Sequence, residues 1–190
     1  MMVREFMQTP WTRLANVQRY STFPMIHRES VAEHSYFVCL LSYNMAEDIN
    51  SQGGDVNLER VMRLAIVHDL DEALTGDFPR PFKHSSVPLL AAIQKQTKVA
   101  MENELPPTWI MADWNESQKY GTAENSIVKF CDLWSVVIYA VREAKLGNQH
   151  ATEILERAPT WFKERDWGTY VAPYVKELLM LLEGGHLVDV

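Results

Sequence analysis

The chain is poor in cysteine, in long apolar runs and in positive charge. Two cysteines among 190 residues are too few for a disulfide framework or a cysteine-rich zinc site. The longest apolar run, Val136 to Val141, is far too short to cross a bilayer, and the segment from Met1 to Glu5 lacks the apolar stretch of a signal peptide. These absences predict a soluble, cytoplasmic protein that does not associate with membranes.

Positive charge is scarce as well. The sequence carries 18 Lys and Arg against 25 Asp and Glu, a net charge of −7, and no segment forms a local basic patch. We therefore expect no binding to a nucleic-acid polymer, although a metal and a few local cations could still hold a small anionic substrate. With 47% hydrophobic residues and six tryptophans, the chain is long enough for one buried core, and we expect a single domain over residues 1–190.

Hydrophobic periodicity predicts helices along nearly the whole sequence, and no segment alternates as a strand. The predicted helices cover residues 30–49, 57–70 with Asn57 as its N-cap, 87–104, 122–146 with Thr122 as its N-cap, 152–165 and 170–182. The segment from Thr75 to Pro81 contains a glycine and two prolines, so we expect an ordered loop there. Pro106-Pro107 should interrupt the helical pattern, and a less regular, tryptophan-bearing stretch should follow.

Four side chains that can bind metals lie on these helices. His34 falls on the inward stripe of its helix, His68 and Asp69 lie at the carboxyl end of the next one, and Asp132 lies on an apolar helix face. Imidazole nitrogens and carboxylate oxygens together suit zinc, manganese, cobalt, iron or nickel, and a bound divalent ion makes water a nucleophile. Glu72, four residues after His68, could order or deprotonate that water without being a ligand.

Each of these residues also has an ordinary structural interpretation. His34 could be a hydrogen-bonded core histidine, the His68-Asp69 dipeptide could occur by chance, and Asp132 could form a buried ion pair with an arginine. The tryptophans could line a base pocket, but they are more typical of a core or an interface. The spaced elements taken together favour the metal site.

Four motifs occur in an order that resembles the HD-domain metal-dependent phosphohydrolases. They are Glu33-His34-Ser35, His68-Asp69-Leu70-Asp71-Glu72, Thr75-Gly76-Asp77-Phe78-Pro79 and Val128-Lys129-Phe130-Cys131-Asp132. The closest resemblance within this superfamily is to the bacterial 5′-deoxynucleotidases and the related phage dATP triphosphohydrolases, and it extends from Arg13 to Gly147. It implies an all-α, single HD-domain helical bundle with a metal site between core helices. By comparison, the last forty residues add little beyond helices.

The resemblance also implies roles for the motif residues. It makes His34, His68, Asp69 and Asp132 the metal ligands and Glu72 the residue that positions or activates water. Asp77, in the glycine-containing loop, resembles a second polar catalytic group close to the phosphate or sugar.

Substrate contacts follow from the same resemblance. Arg19 and Tyr20 correspond to an arginine and an aromatic residue, usually tryptophan, which contact phosphate and close off the space beside the sugar C2′. This sequence has tyrosine at that aromatic position. Lys83 matches a basic position after the loop and is a candidate phosphate contact, while Pro79 either shapes the base or sugar pocket or fixes the loop. His84 lies close enough to the loop to be considered with them.

The activity implied is hydrolysis of 5′-deoxynucleoside monophosphates to deoxynucleoside and phosphate. Phage-type cleavage of dATP or another dNTP with release of triphosphate is the alternative, because the motifs do not distinguish the two. A non-catalytic, nucleotide-binding regulatory HD protein is a third possibility, which the intact metal set and Glu72 disfavour. The resemblance and the tryptophan-rich helices also lead us to expect a homo-oligomer, a dimer or higher.

Overall fold

The computed structural model describes residues 9–104 and 109–184, and the regular structure in both ranges is helical. A 3₁₀ helix (Pro10–Ala15) is followed by α1 (Val31–Ser51), α2 (Leu58–Val67), α3 (Glu72–Thr75), α4 (Arg80–Lys83), α5 (Val87–Glu104), α6 (Trp109–Ser117), α7 (Ala123–Lys145), α8 (His150–Lys163) and α9 (Gly168–Glu183). In these two ranges the β interactions amount to one isolated antiparallel bridge, between Gln18 and Ser30. The predicted all-α class is confirmed.

Polar side chains fix where the long helices begin. Ser30 and Glu33 form a capping box at the start of α1, in which the Ser30 N–H donates to the Glu33 carboxylate at 2.7 Å. The predicted caps Asn57 and Thr122 each accept the backbone N–H three residues later, at 2.9 and 3.1 Å. Glu33, the first residue of a recognised motif, is therefore part of the helix cap.

The carboxyl end of α2 differs slightly from the prediction. The helix ends at Val67, and residues 68–71 form turns in which the Leu70 N–H donates to the Val67 carbonyl at 3.1 Å. His68 still has helical backbone angles, so the predicted position of His68-Asp69 at the end of this helix is confirmed. Glu72 then begins the short helix α3.

The predicted loop from Thr75 to Pro81 was too long. Thr75 is the last residue of α3, Gly76 ends that helix with a positive φ of 73°, and Arg80 already begins α4. Pro81 fits there because a proline in the first turn of a helix gives up an N–H that has no helical partner. Residues 76–79 are the non-helical remainder.

The irregular tryptophan-bearing stretch was also predicted wrongly, because residues 109–117 form α6. Trp114 is buried in a small cluster, and the Asp113 carboxylate accepts hydrogen bonds from Arg60 and Arg63 of α2. These tertiary contacts stabilise a short helix whose own sequence gives little sign of it. The predicted break at Pro106-Pro107 lies outside the described residues.

The core places the candidate ligands close together. Helix α1 packs on both α2 and α7, and α7 packs on α8 and α9. Phe130 on α7 meets Phe162 and Trp167 at ring-centroid distances of 5.6 and 5.9 Å. Both cysteines are free, and none of the described helices is long and apolar enough to span a membrane.

Candidate active site

Four side chains converge where α1, the end of α2 and α7 meet. His34 comes from α1, His68 and Asp69 from the turn after α2, and Asp132 from α7. The His34 Nε2 atom lies 3.4 Å from His68 Nε2 and 3.2 Å from Asp132 Oδ1. Asp69 Oδ2 lies 3.2 Å from His68 Nε2. All four donor atoms lie within 4.8 Å of one another, as the ligands of one ion must.

Hydrogen bonds orient both imidazole rings. The Ser135 hydroxyl donates to the Asp132 carbonyl at 2.8 Å, so it can accept from His34 Nδ1, which lies 3.0 Å away. His68 Nδ1 lies 2.7 Å from the Ala65 carbonyl, which can only accept. In both rings Nδ1–H is therefore the donor to these oxygens and Nε2 faces the cluster, the arrangement typical of metal-binding histidines.

Burial and the neighbouring charges shift the pKa values of the side chains in the cluster. Burial, assisted by the charge of Arg19, lowers the pKa of His34 to about 4. Burial also lowers the pKa of His68, but the neighbouring Asp69 outweighs it and raises that pKa to about 9. Burial raises the pKa of Asp132, but the neighbouring His34 and His68 outweigh burial and bring that pKa to about 2. A cation bound here would replace the His68 proton.

The donor set fits a divalent ion. Ligands about 2.0–2.2 Å from a common ion lie roughly 3.0–3.5 Å apart, and the distances from His34 Nε2 to Asp69 and Asp132 and from His68 Nε2 to Asp69, 3.5, 3.2 and 3.2 Å, fall in that interval. Among the described residues no arginine lies within ion-pair distance of Asp132, so the arginine-pair interpretation of this residue is not supported. His34 is buried, but its Nε2 faces two carboxylates rather than a structural hydrogen-bond partner.

Glu72 and Asp77 lie beside the cluster. Burial and the nearby Asp69 raise the pKa of Glu72 well above its ordinary value. One buried oxygen of Glu72, Oε2, has no hydrogen-bond partner in the described part of the chain. Asp77 Oδ2 accepts the Tyr20 N–H at 3.2 Å, and burial raises the Asp77 pKa. Glu72 is thus free to bind water or a proton, whereas Asp77 already anchors the backbone beside Arg19.

Arg19 is fixed by contacts that the sequence did not reveal. The backbone N–H of Arg19 donates to the Glu29 carbonyl at 2.9 Å. The Arg19 guanidinium lies 3.6 Å from the Glu29 carboxylate and 3.4 Å from the Asp69 carboxylate. Tyr20 has a positive φ of 55° and stacks on Tyr139, with a centroid distance of 4.9 Å. No local pattern relates Glu29 or Tyr139 to these residues, since both contacts are tertiary.

A cavity of about 790 Å³ opens above the cluster, within the usual size range of small-molecule sites. Eight of the ten predicted site residues line it: Arg19, Tyr20, Asp69, Glu72, Asp77, Pro79, Lys83 and Asp132. His84 lines it too, while His34 and His68 are buried beside the lining carboxylates.

One wall of the cavity was missed by the sequence analysis. It is formed by Glu153, Ile154, Arg157 and Trp161 of α8, within the segment that had been expected to add little. Their spacing of one, three and four residues places them on one helix face. That spacing was the available signal, but it does not reveal which neighbour the face will meet.

A family model described as 5′-deoxynucleotidase YfbR-like matches residues 5–179. The chain belongs to this family. The recognition made from the four motifs is confirmed.

Curated 5′-deoxynucleotidases align over most of the chain. A 5′-deoxynucleotidase of Vibrio cholerae is 31% identical over 160 residues, covering 80% of this chain and 82% of its own. A 5′-deoxynucleotidase of Photorhabdus laumondii is 28% identical over 160 residues, covering 81% of each chain.

Solved structures share the fold. An HD-domain phosphohydrolase from Listeria innocua superposes with a TM-score of 0.78 at 23% identity, covering all of this chain and 93% of its own. The HD phosphohydrolase DatZ of cyanophage S-2L, with bound dA and one catalytic Zn²⁺ ion, gives a TM-score of 0.65 at 17% identity, covering 95% and 96%. This YfbR-like chain therefore has the HD-domain fold.

Proposed function

We propose that this protein is a metal-dependent phosphohydrolase that converts 5′-deoxynucleoside monophosphates to deoxynucleoside and phosphate. The convergence of His34, His68, Asp69 and Asp132 beside a cavity that also holds Arg19 carries the proposal. The family and its curated 5′-deoxynucleotidases support it. We propose these four residues as the ligands of a zinc, manganese, cobalt, iron or nickel ion, since their nitrogen and oxygen donors suit all five.

Protein groups would divide the work of hydrolysis. When bound, the ion lowers the pKa of water and offsets phosphate charge. Glu72 accepts the proton of the attacking water, while Arg19 and Lys83 hold the phosphate oxygens. The water oxygen bonds to phosphorus, the bond from phosphorus to the sugar O5′ breaks, and O5′ leaves with the proton that Glu72 took from the water. Asp77 keeps Tyr20, and with it Arg19, in place through the hydrogen bond to the Tyr20 N–H.

Product analysis tests the reaction. The metal-loaded protein is given deoxynucleoside mono- and triphosphates and their ribose counterparts, and free phosphate, triphosphate and nucleoside are measured. We expect phosphate from the deoxynucleoside monophosphates, and a kcat about 100-fold lower in Glu72→Gln with metal content unchanged. Release of triphosphate would replace this proposal with a dNTP triphosphohydrolase. No product from any nucleotide would leave a non-catalytic binding protein.

We propose that Tyr20, with Pro79 beside it in the cavity lining, closes the space next to the sugar C2′. The stacking on Tyr139 holds the Tyr20 ring in place and supports this role. Tyr20→Ala should reduce the preference for deoxyribose over ribose in kcat/KM. Tyr170→Ala, an exposed tyrosine of α9, is the matched control. An unchanged preference would remove Tyr20 from sugar selection.

We also propose that the protein is a cytoplasmic homo-oligomer. Two free thiols support the reducing compartment. On α1, Tyr36, Leu40 and Tyr43 are 64%, 46% and 41% exposed at helical spacing, and such apolar surfaces are typical of interfaces. Light scattering should give at least a dimer mass, and Leu40→Glu should reduce it, whereas Leu146→Glu should not. A monomeric wild-type protein would contradict the proposal.

A further inference from the structure

Helix α8 carries side chains on one face that the proposed hydrolysis does not use. Glu153, Arg157 and Trp161 are spaced four residues apart, so successive Cβ atoms lie about 6 Å from one another along that face. All three line the cavity, together with Ile154 beside them. We call Glu153, Arg157 and Trp161 the α8 stripe. A carboxylate, a guanidinium and an indole therefore face the space in which the substrate would bind.

The α8 stripe adjoins the position proposed for the sugar. Ile154 belongs to an apolar cluster with Ala140 and Ala151, and Tyr20 and Trp161 both pack against this cluster. Tyr20 is the proposed neighbour of the sugar C2′. The base is attached to C1′, the carbon next to C2′, so a base bound in the cavity lies close to the surface that Tyr20 shares with α8. This shared packing places the α8 stripe near the base.

Both charged groups of the α8 stripe are available to a ligand. The proposed phosphate, metal and water contacts use most of the other charged side chains in the cavity lining, and Arg80 lies over the Trp161 ring at 5.2 Å. In the part of the chain that the structure describes, the Arg157 guanidinium has no ion pair, hydrogen bond or ring contact. Glu153 lies 3.8 Å from His150 Nδ1 on the same helix, an exposed pair that contributes little.

A carboxylate beside a guanidinium matches guanine better than the other bases. Guanine presents two neighbouring acceptors, N7 and O6, and two neighbouring donors, N1–H and the 2-amino group. A guanidinium can donate two parallel hydrogen bonds to the acceptors, and a carboxylate can accept two from the donors. Both pairs lie along one edge of the ring, within reach of neighbouring side chains on one helix face. None of adenine, cytosine and thymine presents both pairs.

We propose that Glu153 and Arg157 bind the edge of a guanine base and make the protein selective for deoxyguanosine 5′-monophosphate. Arg157 donates to N7 and O6, and Glu153 accepts from N1–H and the 2-amino group. Ile154 and Trp161 contact the apolar parts of the base. This inference rests on the proposed function, because the selected base belongs to the same substrate.

Two measurements test this selectivity. Phosphate release gives kcat/KM for the four deoxynucleoside monophosphates, and calorimetric titration gives the affinity of the metal-loaded protein for deoxyguanosine and deoxyadenosine. We expect a preference for guanine of about tenfold in both measurements. Glu153→Gln and Arg157→Gln should each remove most of this preference and change adenine-containing ligands less than twofold. Glu156→Gln and Lys163→Gln, on the same helix but outside the cavity lining, are the matched controls.

Base analogues assign each contact to one residue. Deoxyinosine lacks the 2-amino group, and 7-deazadeoxyguanosine lacks N7. Each analogue should bind the wild type about fivefold more weakly than deoxyguanosine, the effect of one lost hydrogen bond. In Glu153→Gln the loss of the 2-amino group should make little further difference, and in Arg157→Gln the same should hold for N7. A general distortion of α8 would instead weaken all of these ligands equally and overturn the assignment.

The outcomes separate the two proposals. Equal kcat/KM and affinity for guanine and adenine, or a guanine preference that survives both variants, would overturn the selectivity. Absence of phosphate release from any monophosphate would overturn the proposed function, while the nucleoside titrations would still decide the role of the α8 stripe. Circular dichroism of each variant identifies any loss of folding.

Discussion

At the scale of single residues, the site depends on groups that hold the proposed ligands in one orientation. Ser135 is the clearest case, since its hydroxyl joins the Nδ1 of His34 to the carbonyl of Asp132. Its position three residues after Asp132 is visible in the sequence, but its contact with His34 spans 101 positions. The ligand types could be predicted from the motifs, whereas this support could not.

Removing the Ser135 hydroxyl should weaken metal binding. Ser135→Ala leaves His34 Nδ1 without its acceptor, so the ring can rotate or change tautomer. We expect the metal dissociation constant to rise about 10- to 100-fold, as measured by competition with a chelating dye. Ser126→Ala is the control, because it removes a hydroxyl from the same helix α7. This variant should bind metal like the wild type. Equal affinity in Ser135→Ala would show that the hydroxyl does not orient the ring.

At the scale of elements, the segment carrying Arg19 is attached to α7 by Glu143. The buried Glu143 carboxylate accepts the Ile26 and His27 N–H groups at 2.7 and 2.8 Å, and the Asn148 amide at 2.7 Å. Burial opposes ionisation, but these hydrogen bonds prevail and hold the pKa of Glu143 below its usual range. The sequence predicts α7 and its Thr122 cap from local pattern, yet it does not predict which loop a buried glutamate will bind.

Glu143→Ala should destabilise the fold by about 3 kcal/mol, because three donors lose their acceptor. Urea denaturation at pH 7 measures the difference, with the exposed Glu156→Ala as a control. Since the folded-state pKa is lowered, the ionised carboxylate stabilises the protein above its unfolded pKa of about 4.3, and this contribution disappears as the pH falls through the folded value. The difference in unfolding free energy between the wild type and Glu143→Ala should therefore become smaller below pH ~4. A difference in unfolding free energy that does not change with pH would contradict stabilisation by the ionised Glu143 carboxylate.

At the scale of the whole molecule, the proposed metal joins α1, the end of α2 and α7. An ion that binds only the folded chain stabilises it by about 2.7 kcal/mol at 100 times its dissociation constant. For a domain of this size, that corresponds to a rise in Tm of about 5–10 °C. Thermal denaturation with and without zinc or manganese should show the rise, and Asp132→Asn should abolish it. A similar rise in Asp132→Asn would place metal binding elsewhere.

The sequence by itself determined the helical class, the Asn57 and Thr122 caps and the kinds of ligand atoms. These features depend on side-chain periodicity and on hydrogen bonds between residues that are close together in the sequence. Tertiary structure decided that α6 is a helix, that α8 forms a wall of the cavity, and that Glu29 holds Arg19. Those features arise from packing between distant segments, where a buried charge or an exposed helix face is satisfied by whichever neighbour the fold brings to it.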